Sequence, residues 1–107
     1  MARKARRETK SKQEAQKFLA NVPEEYVFWC CDGRLFRNMQ ELGDAFNTMT
    51  DETFACHANT EKNDFSNWVR DIIKDDKLAQ GLGESLDRMQ AANAVASRIA
   101  FLSSKPA

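Results

Sequence analysis

The densest collection of functional groups in the chain is His57-Ala58-Asn59 followed by Lys62-Asn63-Asp64-Phe65-Ser66-Asn67-Trp68. In one reading His57 is a base or ligand, supported by Asp64 or Asn59, near the start of an amphipathic helix. The N-terminus of that helix favours anions, so a phosphate could sit there beside Lys62. In the simpler reading Asn63 caps the helix, Asp64 complements its dipole, and Phe65 and Trp68 anchor the core. His57 then hydrogen-bonds a neighbour and fixes the loop. The simpler reading is favoured, because clustered polar groups also arise for structural reasons. His57, Lys62, Asn63 and Asp64 stand as the candidate partner-binding residues.

Tests against specific catalytic arrangements go against an enzyme. Nucleophilic chemistry needs a Ser or Cys near a base that a third group orients. Cys56 adjoins His57, yet consecutive side chains on a helix diverge. No carboxylate motif sets two acids across a cleft. Gly81 and Gly83 lack the lysine and strand of a phosphate loop. No catalytic residue is assigned, and the expectation is a protein that binds rather than catalyses. An enzyme built on His57 and Asp64 would require a deep, partly open pocket joining the two.

The three cysteines, Cys30, Cys31 and Cys56, are an odd number, and two are adjacent. Neighbours in sequence rarely bridge, and free thiols point to a reducing compartment. A redox dithiol usually has two intervening residues. On a strand Cys30 and Cys31 face opposite sides, one inward and one toward solvent. With one histidine and no finger-like spacing, no metal site is expected, and no cofactor.

Charge carries the strongest partner signal. Residues 1–17 hold seven cations and two acids, a net +5, whereas residues 18–107 hold nine cations and fourteen acids, a net −5. The formal net charge of zero hides this division. A basic arm on an acidic body suggests a polyanionic partner, or docking of the arm on its own body. Arg3, Lys4, Arg6, Arg7, Lys10 and Lys12 are the candidate phosphate contacts, which would give salt-dependent, sequence-independent affinity. Arginine-rich arms often order only on RNA. The competing reading is a solubilising tail that binds nothing. A membrane partner is disfavoured, since the arm has no bulky apolar face to insert.

Length and composition bound the rest. At 107 residues, 42% apolar and 30% charged, the chain suits one globular domain with a single modest core. No apolar run approaches the roughly 20 residues that cross a bilayer. The charged N-terminus lacks the apolar stretch of a secretory signal, which points to the cytoplasm.

Periodicity supplies the elements that must hold these groups. Ser11 and Glu14 have capping-box spacing and begin a short helix ending near Leu19, anchored by Phe18 and Leu19 and stopped by Pro23. Tyr26-Val27-Phe28-Trp29-Cys30-Cys31 and Arg34-Leu35-Phe36 flank Asp32-Gly33, a hairpin signal in which both turn residues adopt positive φ. Phe28 and Trp29 point to opposite faces. An exposed one could stack a nucleobase, but a hairpin sandwiched between helices, burying both, is preferred. Asn38 with Glu41 starts a helix carrying Met39, Leu42, Phe46 and Met49 on one face. Thr50-Asp51-Glu52 starts another that leads to His57. Phe65, Trp68, Val69, Ile72 and Ile73 form the clearest amphipathic stripe. Asp75-Asp76 break and restart the chain before Leu78, Ala79 and Leu82, and Gly81 and Gly83 loosen that end. A final helix from about Ser85 to about Leu102 presents Leu86, Met89, Ala92, Ala96, Ile99 and Leu102.

The expected fold is therefore α+β and mostly helical, a single domain with one β-hairpin packed against four to five short helices. Its organisation reads as a basic arm over 1–17, a compact domain over 18–102 and a tail over 103–107. Asn21-Val22-Pro23-Glu24-Glu25-Tyr26-Val27-Phe28-Trp29, Asp32-Gly33, His57 and Lys62-Asn63-Asp64-Phe65-Ser66-Asn67-Trp68-Val69 together resemble a small family of uncharacterised prokaryotic proteins. That family is a domain of unknown function found in archaea and some bacteria. The likeness covers about residues 18–102. It implies a compact intracellular module and supplies no reaction, cofactor or catalytic residue.

The function expected from the residues is a non-enzymatic accessory protein associated with RNA or the ribosome through the arm. The alternative is a protein-interaction or regulatory module centred on the His57–Trp68 block, with no nucleic-acid role. The sequence leaves the oligomeric state open.

Overall fold

Short polar caps punctuate the apolar stripes of this chain, and the helices follow those caps closely. The computed structural model describes residues 13–104. Most of the arm, Ser11 included, and residues 105–107 lie outside them. Helix α1 runs over 13–19. It buries Ala15 and rests Phe18 and Leu19 against the core. After Pro23 a single 3-10 turn, Glu24–Tyr26, leads into the hairpin.

Strand β1 is Phe28–Trp29 and strand β2 is Leu35–Phe36, antiparallel with Phe28 opposite Phe36 and Trp29 opposite Leu35. Both are shorter than their aromatic runs suggested: Tyr26 belongs to the turn before β1, and Cys30, Cys31 and Arg34 belong to the connection between the strands. The connection also differs from a two-residue Asp-Gly turn. Cys30 N–H bonds Arg34 C=O at 2.9 Å, and Gly33 N–H bonds Cys30 C=O at 3.0 Å. Three residues thus form the loop. Gly33 alone takes positive φ (94°), and Asp32 instead accepts the Arg34 N–H on its side chain. This geometry matches a turn closed by a left-handed glycine, which matches strand twist as well as an Asp-Gly pair does. The expected sandwich is corrected too. Phe28 and Phe36 face inward, while Trp29 is 74% exposed and Leu35 44%. Helices cover one face of the sheet and leave the other to solvent.

Helix α2, Met39–Thr48, starts at Asn38, whose side chain accepts the Glu41 N–H. Met39, Leu42, Phe46 and the following Met49 are all buried, as their spacing requires. Helix α3, Asp51–His57, is capped by Thr50. Helix α4, Asp64–Trp68, is capped by Asn63. It passes directly into a π-helical turn, Val69–Ile73, which ends at Lys74 in the left-handed region (φ 72°). The amphipathic stripe is thus real, but its last turn is wider than an α-helix. Lys74 and Asp75 both donate N–H bonds to Val69 C=O, at 2.7 and 3.2 Å, and close that turn.

Asp75 then caps helix α5, Asp76–Glu84. Gly81 and Gly83 lie inside this helix rather than loosening its end. A side chain built on Gly81 would approach Ala94 and one on Gly83 would approach Ser66, so these turns pass close to neighbouring elements. Helix α6, Arg88–Ser103, begins at the cap Asp87. Its buried face is Ala91, Ala92, Val95 and Leu102, rotated from the expected stripe. Leu86 precedes the cap and is exposed, as are Met89 and Ala96. The reason is the partner. α6 packs most extensively on α2, and there Val95 faces Gly43 at a distance that admits no side chain.

The result is α+β and mostly helical, with six helices and one hairpin among the described residues, in a single globule. Phe65 lies at its centre, with Phe28, Phe46 and Phe54 at ring distances of 5.1, 4.9 and 5.6 Å. Polar ties pin the periphery to this core. Trp68 Nε1 donates to Tyr26 C=O at 2.7 Å, and Arg88 Nη1 donates to Phe46 C=O at 2.6 Å. Among the described residues no helix is long and apolar enough to cross a membrane.

Candidate functional site

The His57–Trp68 block forms one structured corner. Helix α3 ends at His57, and the chain reverses through a tight loop. Ala58 bridges Asn63 antiparallel, Asn59 N–H bonds Lys62 C=O at 2.8 Å, and Glu61 N–H bonds Asn59 Oδ1 at 3.0 Å. The reversal places Asp64, in the first turn of α4, against the end of α3. His57 Nδ1 lies 2.9 Å from Asp64 Oδ2, and Lys62 Nζ donates to the same oxygen at 2.9 Å. Asn59 is not a partner of His57; its amide donates to Ala55 C=O instead.

The other ring nitrogen is engaged as well. His57 Nε2 accepts the backbone N–H of Cys31 at 2.9 Å. A backbone amide can only donate, so Nε2 must be the unprotonated nitrogen, and Nδ1 carries the hydrogen given to Asp64. The ring is buried edge-on against Phe28, at 5.0 Å between centroids, and near Phe65 at 5.3 Å. His57 therefore joins three elements: the hairpin turn, the end of α3 and the start of α4.

The electrostatics follow this geometry. Partial burial works to raise the Asp64 pKa, but the hydrogen bonds from His57 and Lys62 outweigh it and hold the carboxyl below its ordinary value. Asp64 in turn raises Lys62. The Cys31 thiol is pushed up to about 11, first by its hydrogen bond with Cys56 and then by desolvation and repulsion from Cys56, Cys30 and Asp32. Burial also raises Cys30.

Cys30 is buried and Cys31 exposed, one inward and one toward solvent as expected, although both lie beyond the end of β1, in the connection to β2. Cys56 is exposed while its neighbour His57 is buried, so those two side chains do diverge. The thiol that approaches the imidazole is on the hairpin. Sγ of Cys30, Sγ of Cys31 and a ring nitrogen of His57 lie within 4.8 Å of one another. Sequence reasoning missed this meeting because 26 positions separate Cys31 from His57. No linear motif spans them.

As a nucleophile Cys31 is poorly placed electronically. Its thiol is protonated at neutral pH, and the His57 lone pair that would take the proton holds the Cys31 amide. A cleft of about 340 Å³ is lined by Phe54, Ala58, Asn59, Thr60, Asn63, Gly83, Ser85 and Leu86; its lining includes neither His57 nor Asp64. Asn63 is committed to structure. It caps α4 through Ser66 N–H and ties it to α5 by donating to Leu82 C=O at 3.1 Å.

The candidate phosphate contacts Arg3, Lys4, Arg6, Arg7, Lys10 and Lys12 lie outside the described residues. The body's own cations are largely paired. Arg34, Arg37, Lys62, Arg70, Arg88 and Arg98 each meet a carboxylate within 4.0 Å. Compared with known proteins, the chain matches no family model, no curated protein and no solved structure.

Proposed function

We propose that the protein is a non-enzymatic accessory protein that engages RNA or a ribonucleoprotein such as the ribosome through basic residues 2–17. The observation that supports this reading is how little unpaired cationic charge the described residues leave. Six of the nine Lys and Arg side chains between residues 13 and 104 are held against carboxylates of the same body. Residues 2–12 carry six cations with Glu8 as their one acid. The sequence of the arm thus offers a polyanion a denser run of cations than the described body does. Helix α1, anchored by Ala15 and by Phe18 beneath Arg98, tethers that arm to the body. Titration of labelled RNA at several salt concentrations tests the reading. Wild type binds with an affinity that falls as salt rises, and a variant lacking residues 2–12 loses both affinity and most of the salt slope. Equal binding and equal slopes for the two proteins would end it.

A second reading, a protein-interaction module centred on the His57–Trp68 corner, draws support from the hairpin that His57 clasps. Trp29 and its cross-strand neighbour Leu35 present an apolar pair to solvent, with Lys62 exposed at the corner itself. Affinity capture with wild type and with folded Trp29→Ser and Lys62→Ala variants separates the two readings. Identical recovery by all three removes this one.

A further inference from the structure

Two adjacent pairs of potential ligands, Cys30-Cys31 and Cys56-His57, meet at the hairpin turn. The linear spacing argued against a metal because it resembles no finger. Folding replaces that spacing with proximity: the Cys30 and Cys31 sulfurs and a His57 nitrogen already lie within 4.8 Å of one another. Cys56, the residue before His57, stands outside that group, but its exposed thiol neighbours that of Cys31 and can turn into the site.

We propose that Cys30, Cys31, Cys56 and His57 form a binding site for one thiophilic divalent cation of the zinc type, held by three thiolates and imidazole Nε2. A d¹⁰ cation with no geometric demand of its own takes such a Cys₃His set tetrahedrally. Its bond lengths place ligand atoms roughly 3.5–3.8 Å apart, so the Cys30, Cys31 and His57 atoms draw together by up to about 1 Å on binding and Cys56 swings in to join them. Cys31 and Cys56 are exposed and can rotate to do so, which also leaves the cation a path from solvent. Cys30 and His57 form the buried floor.

The surroundings suit the complex. Asp64 receives the Nδ1 hydrogen and so keeps the Nε2 lone pair free of a proton on the side that meets Cys31, the carboxylate–histidine arrangement that orients a metal-bound imidazole. Binding exchanges the Cys31 amide for the cation at Nε2 and releases three thiol protons to solvent. A dication with three thiolates carries one net negative charge. Lys62, whose ammonium interacts electrostatically with both Cys31 and Cys56, lies where it offsets that charge. The bound ion staples the hairpin turn to the end of α3, with ligand bonds in place of the Cys31 N–H···Nε2 hydrogen bond.

The test uses the full chain, reduced and stripped of metal. Zn²⁺ is titrated in competition with a chromophoric chelator, and Co²⁺ reports geometry and sulfur ligation by its absorption. Wild type takes up one Zn²⁺ per chain, and its Co²⁺ form shows tetrahedral bands with thiolate charge transfer. Cys31→Ser and Cys56→Ser, at exposed positions with folding checked by circular dichroism, each weaken binding by about 100-fold or more, and Asp64→Asn weakens it by about 10-fold. Failure of folded, reduced wild type to retain one equivalent overturns the site. So does a Cys31→Ser or Cys56→Ser variant that binds as tightly as wild type, since the ion would then sit elsewhere.

Discussion

His57 Nε2 accepts the backbone N–H of Cys31 at 2.9 Å while Nδ1 meets Asp64, so one imidazole holds a hairpin turn and two helices together. Replacing His57 with Ala leaves the Cys31 amide and part of Asp64 without partners and opens space beside Phe28 and Phe65. The expected loss in the metal-free protein is about 2–4 kcal/mol. Urea denaturation in the presence of a chelator measures it. Amide exchange gives a local signature: Cys31 N–H is protected in wild type and exchanges rapidly in the variant. A stability change below about 0.5 kcal/mol would show that the clasp contributes little.

Gly43 sits where α2 crosses α6, and a Cβ there would lie 2.8 Å from Val95 Cγ1. An alanine normally favours a helix interior over glycine by about 1 kcal/mol. Here overpacking costs more than that, and Gly43→Ala is expected to destabilise by about 1–2 kcal/mol net. Combining it with Val95→Ala should be less harmful than the sum of the single changes, because the second substitution removes the clash. A double-mutant cycle on thermal or urea melts reads this coupling, and strict additivity would refute the contact.

Asp75 is 1% exposed, caps α5 through Leu78 N–H and holds Arg98 of α6 at 2.7 Å. Removing one partner of such a pair is costly because the other charge stays buried. Arg98→Ala is expected to cost about 3–5 kcal/mol. Asp75→Asn retains an acceptor for the cap and loses the buried charge, so it should cost clearly less. Denaturant midpoints of the two variants check the order.

Lys74 ends the π-helical turn with φ of 72°, a conformation that suits glycine better than a residue with a side chain. Its backbone N–H is used, but nothing in that bond requires a lysine. Lys74→Gly should therefore stabilise the protein, by up to about 1 kcal/mol once the added freedom of the unfolded chain is discounted. A raised melting temperature checks it, and a lowered one would place the turn under a different constraint.

Much of the fold was legible because its signals are local. Asn38, Thr50, Asn63 and Asp75 each accept an N–H of the helix they begin, and each precedes an apolar stripe of matching period. The α6 face was misjudged because Leu86 and Met89 look like core residues. Val95 holds the central place because Gly43 makes room for it, and helix pairing is invisible in either segment alone. The hairpin was recognised, yet its exposed face was not. A strand's alternation separates Phe28 from Trp29 and does not say whether a second layer covers the outer side.

The sequence by itself determined the segregation of charge, the helix boundaries set by side-chain caps, and the grouping of His57, Lys62 and Asp64 in one short block. Those properties depend on near neighbours in the chain. Tertiary structure alone decided which residues face His57 Nε2, that Cys30 and Cys31 converge there, and that the body's cations are mostly neutralised. Each of these depends on segments tens of residues apart, brought together by burial of Phe28, Phe46 and Phe65 in one core. Hydrophobic burial is non-directional, so local pattern could call for that core without specifying which polar groups its formation would bring into contact.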